Sequence, residues 1–279
     1  MPKVIQKDIT NSMIEEFKYH LRNLLALRFL SAAVSGNLFL IFGCQRSGTT
    51  LLLSVLNAHP KITAVDETEF PSPYPFPSAQ RLMLQKASNA YLCFKILEHS
   101  HRLDFLKNYY PHAKILWPIR NPRSTIASMI SLKNSEGDWI DRCAINEIER
   151  LQPFFGEEIK QWDLLKLSKV EIGAIYWLYK NKYPDILKKN SFDVLVFKYE
   201  DFIQNQEEML KKITAFLELE WDKSLLKFYQ KNSGKTLAGG TRTDQKIDVN
   251  KVNNLRGLNT EDMSKINVIC KGLMNKYGY

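Results

Sequence analysis

Cysteine is scarce in this 279-residue chain, and the four present (Cys44, Cys93, Cys143, Cys270) are scattered through apolar segments with no Cys-x-x-Cys pair. That pattern offers no disulfide framework and reads as buried, reduced thiols, with a cytoplasmic protein as the expectation. Long hydrophobic runs are missing as well. The first twenty residues carry Lys3, Lys7, Asp8, Glu15, Glu16 and Lys18, so no secretory signal is visible. The apolar stretch 21–42 is interrupted by Arg22, Arg28, Gly36 and Asn37, which rules it out as a membrane span. There is no internal repeat and no low-complexity linker, so the expectation is one domain over 1–279. Acid is in deficit, with 39 Lys+Arg against 30 Asp+Glu and a net charge of +9. The lysines are dispersed, the densest clusters being Lys188-Lys189 and Lys211-Lys212, with no interleaved aromatics. A nucleic-acid surface is therefore not expected. A field that draws in a multiply anionic small molecule accounts for the same excess.

Strand and helix signals alternate along the chain. Thr10-Asn11-Ser12 followed by Glu15 and Glu16 caps a helix running to about Val34, an N-terminal helical segment within 1–35. Leu38–Phe42 is a continuous apolar run of the kind buried on both faces of a parallel sheet. Tyr91–Ile96, Ala113–Ile119 and Asp193–Phe197 are further short strands. Helices are expected from Gly48 to near His59-Pro60, over 124–132, through most of 133–190 and over 207–217. The alternation predicts an α/β fold, a single domain with a central parallel sheet flanked by helices. Residues 70–78 hold Pro71, Pro73, Pro75 and Pro77 between Phe70, Tyr74 and Phe76, a segment suited to an aromatic wall beside a pocket. Residues 231–257, rich in Gly, Lys, Asn and Thr, read as a long mobile loop on the cofactor side.

The densest signal follows the first apolar strand: Gly43-Cys44-Gln45-Arg46-Ser47-Gly48-Thr49-Thr50. The spacing is that of a P-loop, except that Thr49 stands where an NTPase needs lysine and Arg46 sits inside the loop. Backbone N–H groups of residues 46–50 at a helix N-terminus supply donors and about half an elementary positive charge. The strands end in Lys95, Arg120 and Lys198-Tyr199 rather than in an acidic magnesium ligand. Fixed cations without metal suit transfer of an electrophile less charged than γ-phosphate, and sulfuryl is such a group.

The loop, continuing to His59-Pro60, resembles the 5′-phosphosulfate loop of sulfotransferases that use 3′-phosphoadenosine 5′-phosphosulfate (PAPS). It is most similar to the branch of protein-tyrosine sulfotransferases and related bacterial enzymes. Ile119-Arg120-Asn121-Pro122-Arg123 followed by Ser128 has the spacing of that family's 3′-phosphate pair, which the resemblance carries to Arg120 and Ser128. Phe197-Lys198-Tyr199-Glu200-Asp201-Phe202 is similar to the segment whose Tyr lies against the cofactor, implying a nucleotide contact for Tyr199. The resemblance spans residues 38–220 and implies the sulfotransferase fold, PAPS as donor, PAP as product, no metal, and Arg46, Ser47, Gly48, Thr49 and Thr50 on the donor. By the same resemblance Lys95 is the catalytic lysine. Glu67, in Asp66-Glu67-Thr68-Glu69, lies twenty-one residues after Arg46, the spacing of the catalytic base in the protein-tyrosine branch.

His99 or His101 is the alternative base, although Cys93-Phe94-Lys95-Ile96-Leu97-Glu98 puts them out of register with the Lys-Thr-His pattern of the cytosolic branch. Arg242 and Lys246, in a late loop similar to that of the protein-tyrosine branch, are candidate lid cations. Arg256 is the counterpart of a clamp that the rest of Leu255–Leu258 does not reproduce. Asp138, Trp139, Glu147 and Glu149 would favour a cationic acceptor. The expected activity is sulfuryl transfer to a hydroxyl, or an amino or carbamoyl nitrogen, of a small-molecule acceptor in natural-product tailoring. The alternatives are a nucleotide or nucleoside kinase with a degenerate P-loop, a protein or carbohydrate sulfotransferase, and a non-catalytic nucleotide-binding module. Oligomeric state is left open.

Overall fold

The computed structural model describes residues 37–67, 91–231, 236–237, 241–249, 252, 255 and 257–279. The helix expected over 10–34, the Pro/aromatic segment 70–78, Thr68, Glu69 and Arg256 lie outside them. β1 (Leu38–Ile41) is buried along its whole length, as a central parallel strand must be. Its side chains divide with period two: Phe39 and Ile41 join one core cluster, Leu38 and Leu40 the other. α1 (Thr49–Leu56) follows, then β2 (Ile62–Asp66) and β3 (Tyr91–Lys95). Next come α2 (Leu103–Tyr109), β4 (Lys114–Ile119) and α3 (Pro122–Ser131). A two-residue hairpin, β5 (Lys133–Asn134) with β6 (Gly137–Asp138), leads through a π-helical turn (Ile140–Ala144) into α4 (Ile145–Glu149) and α5 (Gln152–Lys160). α6 (Lys169–Lys189), β7 (Val194–Lys198), α7 (Tyr199–Gln204) and α8 (Gln206–Leu217) complete the sheet layer. α9 (Phe228–Lys231), the hairpin β8 (Thr236–Leu237) with β9 (Thr241–Arg242), and α10 (Thr260–Tyr277) close the chain.

The sheet order is β2-β3-β1-β4-β7, and every neighbouring pair is parallel. β1 sends its chain outward to β2, while β3 crosses back to β4 on the far side, so the crevice beyond the carboxyl ends of β3, β1 and β4 is the topological switch point. α1 and α8 cover one face and α6 and α10 the other. α6 starts on a Ser168/Glu171 capping box and α10 on an Asn259/Asp262 box, each satisfying donors that a helix start leaves open.

The expected strands and helices that fall within the described residues form, with boundaries shifted by one to three residues. The region 133–190 is mostly helical as expected, interrupted by the β5–β6 hairpin and by turns around residues 150 and 161–168, and the loop expected over 231–257 contains the β8–β9 hairpin. Beneath the crevice α6 carries two buried polar side chains. Asn181 accepts from Trp117 Nε1 at 3.0 Å and donates to the Trp177 carbonyl at 2.9 Å. Lys180 donates to the Leu97 carbonyl at 3.0 Å and to Glu147 Oε2 at 3.3 Å; Lys180 is 1% exposed and Glu147 4%. Removing Lys180 leaves the buried Glu147 carboxylate paired with the half-exposed Arg150, so most of its compensation is lost. Lys180→Met is expected to lose about 3–5 kcal/mol in urea unfolding, and Lys180→Met/Glu147→Leu to regain most of it, because Arg150, the other partner of Glu147, lies partly in solvent.

Candidate active site

The loop after β1 is shaped by its backbone. Arg46 has φ 68° and Gly48 φ 91°, and a left-handed arginine is strained by on the order of 1 kcal/mol or more, a cost typical of functional turns. Ser47 turns inward: its hydroxyl and its amide both donate to the Cys44 carbonyl, at 2.7 and 3.2 Å. These two bonds brace the loop at Ser47. α1 starts at Thr49 with Gly48 as its N-cap and no side-chain cap, leaving the first-turn amides without helical partners. Glycine at 48 is required from both sides of the crevice, since a Cβ there would lie 2.3 Å from Cδ2 and Cε2 of Tyr199. The Tyr199 ring thus rests on the loop.

Two guanidiniums meet over it. Arg46 Nε donates to Ser128 Oγ at 3.0 Å. Arg120, at the end of β4, donates from Nη1 to the Arg46 carbonyl at 3.1 Å and from Nη2 to the Val252 carbonyl at 2.9 Å. Its guanidinium carbon lies 4.9 Å from the Tyr199 ring centroid, and its buried Nε has no hydrogen-bond partner among the described residues. The sequence assigns Arg120 and Ser128 to one anion; in the structure the Ser128 hydroxyl accepts from Arg46, a contact the sequence did not indicate. Among the described residues neither guanidinium is paired with a carboxylate. Burial, then Arg120, hold the Arg46 pKa below its ordinary value, with Tyr199 opposing. Burial raises the Tyr199 pKa, with Arg120 opposing. The turn bearing Arg120 is fixed from below: its carbonyl accepts from Trp177 Nε1 at 2.9 Å. Glu200 accepts from the Asn121 amide at 2.9 Å and from Tyr279 Oη at 2.8 Å.

A third cation stands at the end of β3. Lys95, 3% exposed, places Nζ 2.6 Å from Asp66 Oδ2 and 3.6 Å from Glu67 Oε1 and donates to Thr50 Oγ1 at 3.2 Å. Glu67 Oε2 accepts from the Leu97 amide at 2.8 Å, so its carboxylate is held between Lys95 and the turn that carries His99. Asp66 is the residue the sequence reading missed. β2 ends in this aspartate, opposite Lys95 in the parallel register, which corrects the expectation that no strand here ends in Asp. The sequence already places Asp66-Glu67-Thr68-Glu69 at the end of a strand after the first helix; what it does not reveal is that Asp66 itself faces Lys95, because that pairing depends on the neighbouring strand.

The remaining candidates sort by their partners. Burial, followed by Arg102 and His101, pulls the His99 imidazole down to about 4. The structural reading of His59 fits its geometry: Nδ1 accepts from the Lys61 amide and Nε2 bonds the Glu220 carbonyl, both at 3.1 Å. Two of the acids expected to attract a cationic acceptor are neutralised internally, Asp138 by Lys169 and Glu147 by Lys180 and Arg150. Trp139 is packed on Tyr176 with centroids 5.0 Å apart. Lys246 lies over the Tyr229 ring at 5.9 Å. Among the described residues no group of His, Cys, Asp or Glu is placed to hold a metal ion, and no helix is long and apolar enough to cross a membrane.

An uncapped helix start, two guanidiniums without carboxylate partners and a buried ammonium make a cradle for a ligand with two anionic ends, and a carboxylate stands at its mouth. Gly48→Ala is expected to lower stability by about 1–3 kcal/mol through the left-handed backbone and the Tyr199 contact. Gly48→Ala/Tyr199→Ala is expected to recover the steric share, read as the coupling in a double-mutant cycle by urea unfolding.

The profile of the sulfotransferase family matches residues 39–82 and 76–223. Protein-tyrosine sulfotransferase A of Caenorhabditis elegans is 26% identical over 218 residues, 67% of this chain and 51% of that protein. The chain spans about half the length of the curated relatives it matches. Among solved structures, the sulfotransferase domain of the Synechococcus PCC 7002 olefin synthase superposes with a TM-score of 0.53 at 16% identity, covering 85% of this chain and 94% of that one. A mouse sulfotransferase complexed with PAP superposes with a TM-score of 0.51 at 17% identity, covering 86% and 85%. These likenesses establish the fold. With a matched region running from β1 to the end of α8 and enclosing Arg46, Glu67, Lys95, Arg120, Ser128 and Tyr199, the chain belongs to the sulfotransferase family.

Proposed function

We propose that the chain transfers a sulfuryl group from PAPS to a hydroxyl, or an amino or carbamoyl nitrogen, of a small-molecule acceptor in natural-product tailoring. The observation that carries this reading is the convergence of Arg46, Arg120 and Lys95 at the ends of three adjacent parallel strands, with Glu67 against Lys95. The residues fit PAPS: the buried Arg120 Nε, without a hydrogen-bond partner among the described residues, and the uncapped amides of α1 are donors awaiting anions. Arg120 and Ser128 would hold the 3′-phosphate, the loop amides with Arg46, Thr49 and Thr50 the 5′ end, and Tyr199 the nucleotide. When bound, PAPS supplies the sulfuryl electrophile and a phosphate leaving group.

The chain's own residues do the rest. Glu67 takes the proton from the acceptor hydroxyl, its carboxylate aimed by the Leu97 amide and Lys95. Lys95 offers its ammonium to developing negative charge. A kinase would use Asp66 for magnesium, but Lys95 Nζ at 2.6 Å already neutralises that carboxylate, which favours the sulfuryl reading. The names of the relatives raise a tyrosine side chain as a second acceptor class.

The test is incubation with PAPS and either a cell-extract metabolite pool or a tyrosine peptide, followed by mass spectrometry for the addition of one sulfuryl group. Transfer to a metabolite is expected. Transfer only to the peptide would replace the acceptor reading, and no transfer to either would remove the activity. Glu67→Gln is expected to keep PAP binding while losing on the order of 10²–10⁴ in turnover.

A further inference from the structure

Lys95 does more than stand near the loop. Its ammonium is enclosed by three oxygens, Asp66 Oδ2 at 2.6 Å, Thr50 Oγ1 at 3.2 Å and Glu67 Oε1 at 3.6 Å. Thr50 is the second residue after Gly48, where the P-loop spacing puts the hydroxyl that binds magnesium. Asp66 ends a parallel strand of the same sheet, as an acidic magnesium ligand does in P-loop nucleotidases. Both halves of a divalent-cation site are therefore built, and an ammonium lies between them. Resting on the sulfotransferase reading, we propose that Asp66 is a positioning residue that fixes the Lys95 ammonium in the place of a divalent cation, making the cation of this loop a permanent part of the chain.

The register supplies the precision. Asp66 and Lys95 are opposed on adjacent parallel strands, both buried, so backbone ladders on either side determine where the two side chains meet. A lysine in solvent samples many rotamers; one held by a carboxylate and a hydroxyl keeps a single direction. With Glu67 beside it, one ammonium faces two carboxylates, and Asp66 is the nearer. Exchanging Asp66 for a neutral residue leaves the ammonium with Glu67 as its only acidic partner in this cluster, which draws Nζ off Thr50. Removing Lys95 instead leaves two carboxylates and a hydroxyl around a space formerly filled by a cation, which a divalent ion with its waters would fill.

The experiment measures Mn²⁺ binding by electron paramagnetic resonance in the nucleotide-free protein, for wild type, Lys95→Ala and Asp66→Asn/Lys95→Ala. Lys95→Ala is expected to bind one Mn²⁺ at millimolar metal, while the wild type and the double variant bind none. A folded Lys95→Ala that binds no Mn²⁺ overturns the proposal. A second arm guards against misfolding of that variant. Asp66→Asn is expected to lose on the order of 10–100-fold in kcat with calorimetric PAP affinity and KM for PAPS unchanged, and Asp66→Glu to restore part of the loss. Unchanged kcat in Asp66→Asn overturns the proposal, as does a loss confined to KM. Failure of the wild type to bind PAP would strike the donor reading alone and leave the Mn²⁺ comparison standing.

Discussion

Like charges held together are the constraint on which this structure depends. Arg46, Arg120 and Lys95 converge on one crevice, and among the described residues only Lys95 has carboxylate partners. Left free, the guanidiniums would separate into water. Each is tied into the crevice by hydrogen bonds: Arg120 to the carbonyls of Arg46 and Val252, and Arg46 to Ser128. Burial first and Arg120 next hold the Arg46 pKa below its ordinary value, the direction expected of a crowded cation. Such an arrangement costs the free protein stability, and an anionic ligand offsets that cost on binding. A preorganised cation cluster also needs little rearrangement when charge develops on a leaving group.

The rest of the fold serves that constraint. Parallel strands β3, β1 and β4 end side by side, which is why residues as far apart as Lys95 and Arg120 share a site with the loop. α6 supports it from below, through Trp177 on the Arg120 carbonyl and through Lys180 on the Leu97 carbonyl. Leu97 links core and site directly, since its amide bonds Glu67 while its carbonyl takes the buried lysine. Tyr279 closes the far side, its single hydroxyl proton shared between Glu200 at 2.8 Å and the Ile119 carbonyl at 3.0 Å.

Much of this was legible in the chain because it is local. An apolar run followed by Gly43-x-x-x-x-Gly48-Thr49-Thr50 determines strand, loop and helix start from neighbouring residues alone, and Arg120 sits where an apolar strand stops. What was not legible depends on tertiary contacts. Nothing adjacent to Ser47 indicates that its hydroxyl turns back on Cys44, and nothing near Ser128 reveals Arg46 as its partner. Asp66 had no role in the sequence reading, although a strand was expected to end at 66–69, because its meaning comes from Lys95 on the strand beside it. Asp138 and Glu147 looked available to a ligand until Lys169 and Lys180, 31 and 33 residues further on, were found to neutralise them. The reading of 133–190 as mostly helical holds over 140–160 and 169–189, and what it did not show are the two-residue strands at 133–138 and the short turns near 150 and 161–168, too small for periodicity to register.

The central claim is that the crevice recognises two anions on one nucleotide without metal. Calorimetric titration with PAP and with AMP, which lacks only the 3′-phosphate, in the presence of EDTA tests it most directly. The account predicts that PAP binds on the order of 10–100-fold tighter than AMP, the value of a charge-assisted contact to one phosphate. Equal affinity for the two nucleotides, or binding that appears only when magnesium is added, would contradict it.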